Sequence, residues 1–311
     1  MSESKYFDYT NGKRLHSESD GCHLADWHRL YRQYAFARHP DGFRVFLPPG
    51  RINKSDEYAE ADPYTVEETI NEEFHSRRIE ITIDMVREAI SMQDQISQIL
   101  DLGCGQGHIT EKIRRALKDV ELSGLDYSIS AIEYAHEHFP EIDFAVGDAY
   151  ESPYATGFFD VVVCNNLWEH VPDPLVLLSR IKRVIKPGGY LVVSTPSRYR
   201  IGNLIRILLG KPVVFMSRHH VTEYTVGQVK EQLRYGGFEV KRVLSRPIST
   251  GSLKTKVARK VVGSVLSRFI AMVRSHHQLE STVFYLAQEA SGCTSQGDFL
   301  ENGIAPQDVR K

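Results

Sequence analysis

Apolar residues recur along the middle of the chain in short runs that alternate with amphipathic stretches. Between about Thr65 and Ser91 the apolar positions fall three or four residues apart, which predicts a helix. Beyond it, continuous apolar runs of strand length are each followed by helical spacing. The predicted strands are Ile99–Cys104, Glu121–Asp126, Asp143–Asp148, Asp160–Asn165, Tyr190–Ser194, Phe238–Leu244 and Thr282–Ala287, and the predicted helices between them are Gly107–Leu117, Ser130–His138, Pro174–Ile185 and Val226–Tyr235.

This alternation is typical of an α/β doubly wound sheet whose strands run parallel. The run DVVVCN at 160–165 is mostly apolar, as expected of a central strand that is covered by helices on both faces. Right-handed crossovers would bring the carboxyl ends of the strands to one edge of the sheet. Ligands bind at that edge in such folds, so we expect the functional site there.

The two ends of the chain lack this regular pattern. Residues 1–65 are polar, aromatic-rich and interrupted by turn signals, and we expect short helices and loops there, with Trp27–Arg38 as the best helix candidate. Residues 290–311 are polar and predicted to be disordered. We therefore divide the chain into an N-terminal cap, a main domain over 66–289 and a tail.

A glycine-rich turn follows the first strand of the main domain. Asp101 lies near the end of that strand, and Gly103, Gly105 and Gly107 lead into the next helix. Glycine allows tight turns and close approach of a ligand, and a helix N-terminus offers unpaired N–H groups. The dinucleotide pattern G-x-G-x-x-G is not met, because His108 stands at its last position. The turn therefore disfavours NAD and FAD.

Acidic residues stand at the ends of the next two strands. Asp126 follows Asp101 by 25 residues, and a carboxylate there can accept hydrogen bonds from both hydroxyls of a ribose. Asp148 ends the third strand within Gly147-Asp148-Ala149 and could accept a hydrogen bond from an adenine amino group. Each carboxylate alone could be a strand-end cap, but their combination with the glycine turn favours a bound cofactor.

These motifs resemble those of the class I S-adenosylmethionine-dependent methyltransferases. The similarity extends over about residues 91–289 and rests on blocks that occur in the family's order. Besides the glycine turn, the blocks are LSGLDYS (122–128), AVGDA (145–149), FFDVVVCNNLWEHVPDP (158–174), VIKPGGYLVVSTPS (184–197) and HHVTEYTVGQVKEQLRYGGFEV (219–240). The resemblance implies a Rossmann-like, seven-stranded sheet whose last strand, Thr282–Ala287, runs antiparallel.

The resemblance also implies S-adenosylmethionine as the cofactor. Gly103, Gly105 and Gly107 would pass under its methionine part. Asp101 would orient the sulfonium end, and Asn165 would lie beside the methionine group.

The adenosine part of the cofactor would contact residues at the ends of the second and third predicted strands. Asp126 would hold the ribose, with Tyr127 against the adenine. Asp148 and the backbone of Ala149 would contact the adenine edge.

Two residues after the fourth strand are candidates for catalysis. His170 follows Glu169 and titrates near neutral pH, so it could accept a proton from an oxygen acceptor. It could also be a structural histidine that holds Asp173. In the O-methyltransferases of ubiquinone biosynthesis, which this block resembles, glutamate usually stands at the position of Asn166, and three side chains there can hold a divalent metal. Because asparagine removes one anionic ligand, we predict no metal.

The net charge of −2 gives no overall attraction to nucleic acid, but basic residues are concentrated in two predicted insertions, at about 197–220 and 245–280. No acidic residue occurs from Pro196 to Val221 or from Lys241 to Leu279, and apolar positions there follow helical spacing. These segments could be lid helices packed on the domain. They could instead contact an anionic membrane surface or recognise an anionic substrate.

Together these observations predict a cytoplasmic methyltransferase that acts on a small molecule, with oxygen as the expected acceptor atom. An anionic, glycan or lipid-linked substrate would suit the basic insertions, which could also bring the enzyme to a membrane surface. No nucleic-acid partner is expected, because CNNLW replaces the signature of base amino-group methylation after the fourth strand. The alternatives are a protein methyltransferase and a cofactor-binding regulatory protein without catalysis.

Overall fold

The strands and helices are described for most of the chain. The computed structural model describes residues 5–8, 13–15, 18–52, 68–93, 98–117, 119–245 and 281–290. The strands are β1 Phe7–Asp8, β2 Lys13–Arg14, β3 Gly21–His23, β4 Phe36–Arg38, β5 Arg44–Val45, β6 Gln98–Leu102, β7 Glu121–Asp126, β8 Asp143–Val146, β9 Phe159–Asn165, β10 Ile185–Pro196, β11 Phe238–Leu244 and β12 Thr282–Glu289. The helices are α1 Trp27–Leu30, α2 Glu68–Ser91, α3 His108–Ala116, α4 Ile129–His138, α5 Pro174–Val184, α6 Ile201–Leu208 and α7 Val226–Tyr235.

A single sheet of ten strands has the order β11-β12-β10-β9-β6-β7-β8-β5-β4-β3. From β10 to β8 neighbouring strands run parallel, whereas β12 runs antiparallel to both of its neighbours. The seven strands from β11 to β8 confirm the predicted Rossmann-like sheet with an antiparallel last strand. The chain leaves β6 towards β7 on one side and later returns to β9 on the other. The crevice between β6 and β9 is thus the switch point at which such sheets bind ligands.

Helices cover both faces of the sheet. Leu178 of α5 and Val229 of α7 are buried in the core on one face. Val86 of α2 and Ile132 of α4 are buried in the core on the other face. Every residue of β9 is buried between these layers, which explains why its sequence is mostly apolar and does not alternate with polar positions.

The N-terminal residues extend the sheet. The helix predicted over Trp27–Arg38 is wrong beyond α1, because Phe36–Arg38 forms the strand β4. β5 pairs parallel to β8 at what would otherwise be the edge of the sheet, and β4 and β3 follow outward. An edge strand presents unpaired backbone groups, and these short strands satisfy them while burying Phe36 and Ala37.

Several predictions concern residues outside the described part of the chain. These are the boundary of the main domain near residue 65, the second basic insertion beyond Ser245 and the tail beyond Ala290. Within the described residues, none of the helices combines the length and the apolar character that a membrane span requires.

Candidate cofactor and acceptor site

The glycine turn joins β6 to α3 beside the switch point of the sheet. Gly103, Gly105 and Gly107 have φ angles of 77°, 52° and 76°, which are left-handed conformations that glycine adopts without strain. A Cβ on Gly103 would lie 3.2 Å from Cδ2 of Leu167, in the loop after β9. A side chain at position 103 would therefore be strained and would crowd Leu167. The loop after β9 lies directly against the turn.

Asp126, at the end of β7, accepts a hydrogen bond from this turn. One of its carboxylate oxygens accepts a hydrogen bond from the Gly105 N–H at 2.7 Å, and the other accepts from the Ser128 N–H at 2.9 Å. A carboxylate has about four lone-pair sites, so acceptor capacity remains for the hydroxyls of a ribose. Tyr127 follows with 46% of its surface exposed, as an aromatic ring open to a ligand.

Asp101 lies in β6 with only 2% of its surface exposed. Burial raises the pKa of its carboxyl to about 6, while a hydrogen bond from Thr110 and the charge of Arg78 oppose that rise. The Thr110 hydroxyl donates to Asp101 at 2.6 Å, and Arg78 is itself buried. Asp101 is thus held inside the protein, where it contributes negative charge beneath the turn.

Asp148 follows β8 and contacts a residue that the sequence did not single out. One carboxylate oxygen caps the short 3-10 helix that begins at Ala149 by accepting from the Tyr150 N–H at 2.8 Å. The other oxygen accepts from Arg51 at 3.1 Å. Arg51 belongs to the polar N-terminal region, whose irregular sequence carried no signal for this contact. An adenine amino group would have to share Asp148 with Arg51.

Asn165, at the end of β9, has an unused acceptor. Its amide nitrogen donates to the Thr82 hydroxyl of α2 at 3.0 Å. Its amide oxygen is buried and accepts no hydrogen bond from the described residues. Buried polar atoms are nearly always hydrogen-bonded, so an open acceptor beside the glycine turn fits a ligand that carries an ammonium group. The amide oxygen of Asn165 and the glycine turn thus fit the methionine part of S-adenosylmethionine, and the carboxylate of Asp126 fits its ribose.

The Glu169 side chain is wholly buried just after β9. Burial raises the pKa of its carboxyl to about 7, although its own backbone N–H, the charge of His220 and the nearby side chains of Thr195 and Asn166 oppose the rise. Neither carboxylate oxygen makes a hydrogen bond of ordinary geometry to the described residues. Glu169 is therefore a buried acid that has polar neighbours but no hydrogen bond of ordinary geometry to them.

His170 lies against a second histidine, His220. Their ring centroids are 4.9 Å apart and the rings are nearly perpendicular, at 85°. Burial, together with the neighbouring His220 and His219, lowers the pKa of His170 to about 4. The alternative role of His170 in holding Asp173 is not what the structure shows, because the Asp173 carboxylate caps α5 through two backbone N–H groups.

His220 was not predicted as a site residue, since it lies 50 positions after His170 and no local spacing links them. Its Nδ1 contacts the buried Glu223 carboxylate at 2.9 Å, and Arg200 donates to the same carboxylate. Burial would raise the pKa of Glu223, but hydrogen bonds from His220, the Met216 N–H and Arg200 hold it below its usual range. The imidazole of His220 is therefore fixed in orientation.

Comparison with known proteins agrees with this geometry. A family model described as a methyltransferase domain matches residues 100–193. A probable S-adenosylmethionine-dependent methyltransferase of Mycolicibacterium smegmatis is 30% identical over 186 residues, which cover 58% of this chain and 67% of that protein. A ubiquinone biosynthesis O-methyltransferase of Marinobacter nauticus is 26% identical over 192 residues, covering 58% of this chain and 79% of that protein.

The fold is also shared with solved structures. A crystal structure of a methyltransferase from Galdieria sulphuraria aligns with a TM-score of 0.50 and 19% identity, covering 71% of this chain and 88% of that one. At this level of identity the likeness concerns the fold alone, and that fold is the same sheet with its switch point. The fold, the glycine turn and the sequence relatives thus point to the same family. The chain belongs to the class I S-adenosylmethionine-dependent methyltransferases, which are enzymes that transfer the methyl group of that cofactor.

Proposed function

We propose that this enzyme methylates a hydroxyl oxygen of a small molecule, which it binds at the cluster formed by Glu169, His170 and His220. The observation that carries the proposal is the position of the loop after β9. Leu167 of this loop packs on Gly103, and Glu169 and His170 follow directly. An acceptor at the cluster would therefore lie next to the methionine end of the cofactor, as an in-line displacement requires.

The cofactor contacts follow from the same arrangement. S-adenosylmethionine supplies the methyl group as a sulfonium, and the residues around it bind and orient it. In this proposal the methionine part is held by Asp101, Gly103, Gly105, Gly107 and Asn165, and the adenosine part by Asp126, Tyr127, Asp148 and Ala149. The carboxylates among them favour a cationic donor.

Methylation of a hydroxyl releases one proton, and Glu169 is better suited than His170 to accept it. A general base works best when its pKa is near the pH of the reaction. The pKa of Glu169 is about 7, whereas that of His170 is about 4, so His170 is a weak base at neutral pH. Oxygen as the acceptor atom is supported by the relative that is named as an O-methyltransferase.

Substitution of Glu169 by glutamine tests this proposal. We expect turnover to fall by about 10²- to 10⁴-fold, because the proton acceptor is lost while the shape of the side chain is kept. The enzyme would be incubated with methyl-labelled S-adenosylmethionine and a panel of phenols, hydroxy acids and amines, and mass spectrometry would locate the label. Glu231→Gln on the exposed side of α7 is the control. Methylation at nitrogen or carbon, or unchanged turnover of Glu169→Gln, would contradict the proposal.

We further propose that the segment 199–221, which we call the basic segment, contacts an anionic membrane surface. The buried residue of its helix α6 is polar: the Asn203 amide donates to the carbonyls of Arg198 and Val214. Nine of the thirteen exposed large apolar side chains of the described residues lie in this segment. They are Tyr199, Ile205, Ile207, Leu208, Leu209, Val214, Phe215, Met216 and Val221.

The exposure of these side chains supports contact with a membrane over packing as a lid on the domain. Leu208 and Leu209 are 85% and 65% exposed, so this face of α6 is not packed on the described part of the domain as a lid would be. Lys211 and Arg218 are also exposed, and the segment has no acidic residue. Apolar side chains among basic ones suit the interface of an anionic bilayer.

Flotation with lipid vesicles tests the contact. We expect the wild type to float at low salt with vesicles that contain phosphatidylserine, and to be released as salt is raised. Leu208→Ser should weaken binding by about tenfold, because it removes one inserted apolar side chain. Met92→Ser changes an exposed apolar residue outside the segment and serves as the control. Failure to float at low salt, or equal loss in both variants, would refute the membrane contact.

A further inference from the structure

Three potential metal ligands converge beyond the end of β9. One ligand atom from each of Glu169, His170 and His220 lies within 4.8 Å of the other two. Ligand atoms around a tetrahedral Zn²⁺ ion are about 3.3 Å apart, so these side chains would need to move together by up to about 1.5 Å. Because Glu223 holds the His220 imidazole, this movement would come mainly from the side chains of Glu169 and His170.

The backbone holds the two contributing loops together. The carbonyl oxygen of Glu169 accepts hydrogen bonds from the N–H groups of Val221 at 2.8 Å and Thr222 at 3.2 Å. These bonds fix the segment that carries His220 against the segment that carries Glu169. The three ligands are therefore brought together by the fold itself, although two of them lie far from the third in sequence.

The orientation of His220 is typical of a metal ligand. Its Nδ1 contacts the buried carboxylate of Glu223, which Arg200 also holds, so its Nε2 is left for another partner. Histidines that bind metals commonly donate their second ring nitrogen to such a carboxylate, which sets the tautomer and the ring orientation.

Glu169 provides an independent observation. Its carboxylate is wholly buried, and neither oxygen has a hydrogen bond of ordinary geometry to the described residues. A buried carboxylate whose neighbours, such as Thr195 and Asn166, make no hydrogen bond of ordinary geometry to it is unfavourable, and a cation between it and the two imidazoles would satisfy it.

We infer that Glu169, His170 and His220 bind a divalent first-row transition-metal ion, with Zn²⁺ as the best-suited probe. Two imidazole nitrogens and one carboxylate favour such ions over Mg²⁺ and Ca²⁺, which prefer oxygen ligands. Three protein ligands leave a coordination position open, as in catalytic metal sites.

This inference reverses the expectation that the site holds no metal. That expectation depended on Asn166, and the amide oxygen of Asn166 indeed accepts a hydrogen bond from the Ser194 hydroxyl at 2.9 Å. The third ligand comes instead from His220. The ligand set thereby gains a nitrogen, and the expected metal changes from a hard cation to a transition metal.

The role of the ion in methyl transfer depends on the function proposed above, whereas its binding does not. An acceptor hydroxyl bound at the open position of the ion would be polarised and would lose its proton more readily, and the proton would pass to the Glu169 oxygen that does not bind the ion or to water. Glu169 would then act as a ligand, and its replacement would lower turnover for that reason.

Metal titration of the full chain tests the inference without cofactor or acceptor. Protein freed of metal with EDTA is titrated with zinc chloride by calorimetry, and cobalt chloride is added in parallel to record visible absorption bands. We expect one zinc ion per chain and intense cobalt bands, with much weaker binding of magnesium chloride. Glu169→Gln and His220→Asn should weaken zinc binding by about 100-fold or more, and Glu223→Gln by about 10- to 100-fold.

His219→Asn is the matched control, because this exposed histidine is adjacent to His220 in the chain but outside the cluster. Its zinc affinity should equal that of the wild type, and circular dichroism checks that each variant is folded. Absence of stoichiometric zinc binding and of cobalt bands in the wild type, or an equal loss in His219→Asn, would overturn the inference. Oxygen methylation by a protein that binds no zinc would leave the proposed function intact, and zinc binding by a protein that methylates nitrogen would overturn only that function.

Discussion

Replacement of Asp126 by alanine is expected to weaken the binding of S-adenosylmethionine by about 100-fold or more. The carboxylate holds the N–H groups of Gly105 and Ser128 and has acceptor capacity left for the ribose. A hydrogen bond to a charged group contributes about 1.5–3 kcal/mol, and about 1.4 kcal/mol corresponds to a tenfold change in affinity. Loss of two such bonds to the ribose therefore accounts for the expected effect, before any loosening of the turn.

Calorimetry with S-adenosylhomocysteine, which lacks the transferable methyl group, gives the affinity without turnover. Asp126→Asn keeps one acceptor oxygen and should bind with intermediate affinity. Glu121→Gln is the matched control, because Glu121 lies at the opposite end of the same strand, is exposed and contacts Gln98. If Asp126→Ala bound the cofactor as tightly as the wild type, the assignment of this carboxylate to the ribose would be wrong.

The elements around this site could be predicted because their signals are local. The strands β7 and β11 and the helix α7 coincide with the predicted Glu121–Asp126, Phe238–Leu244 and Val226–Tyr235. In each, the spacing of apolar residues or a turn residue at the end marks the element without reference to the rest of the chain. Once the strands are placed in order, the topology alone brings their carboxyl ends to one edge.

The N-terminal strands could not be predicted in this way. β4 has three residues and β5 has two, which is too short for a period to show. β5 pairs with β8, whose backbone groups would otherwise be unpaired at the edge of the sheet. The strands therefore depend on an available partner strand, and their own residues carry no pattern that predicts them.

Side-chain partners that come from distant segments were also missed. Arg51 contacts Asp148 across 97 positions, and Thr82 contacts Asn165 across 83. His220 joins Glu169 only because backbone bonds dock its segment on the loop after β9. Such pairs depend on tertiary packing, and a single sequence carries no local pattern for them.

Replacement of Gly107 by alanine is expected to destabilise the fold by about 2–5 kcal/mol. Gly107 is the N-cap of α3 and has a φ of 76°, a left-handed conformation that costs a residue with a Cβ about 1–2 kcal/mol. The new Cβ would lie 2.7 Å from Cζ of Phe144 and 3.2 Å from Cβ of Ala135, both buried in the core. Overpacking of this kind costs about 1–3 kcal/mol more.

Urea denaturation monitored by circular dichroism measures the difference in the free energy of unfolding. Gly202→Ala is the matched control, because Gly202 lies within the helix α6 and a Cβ there would have no atom within 4 Å. Alanine is favoured over glycine inside a helix, so this variant should be as stable as the wild type or more stable by up to about 1 kcal/mol. Equal stability of the two variants would mean that the turn can relax around a Cβ. Glycine at position 107 would then be required for the close approach of the ligand and not for the backbone conformation. A loss confined to Gly107→Ala would instead show that the conformation of the cofactor turn is set by the core beneath it, since Phe144 and Ala135 belong to β8 and α4.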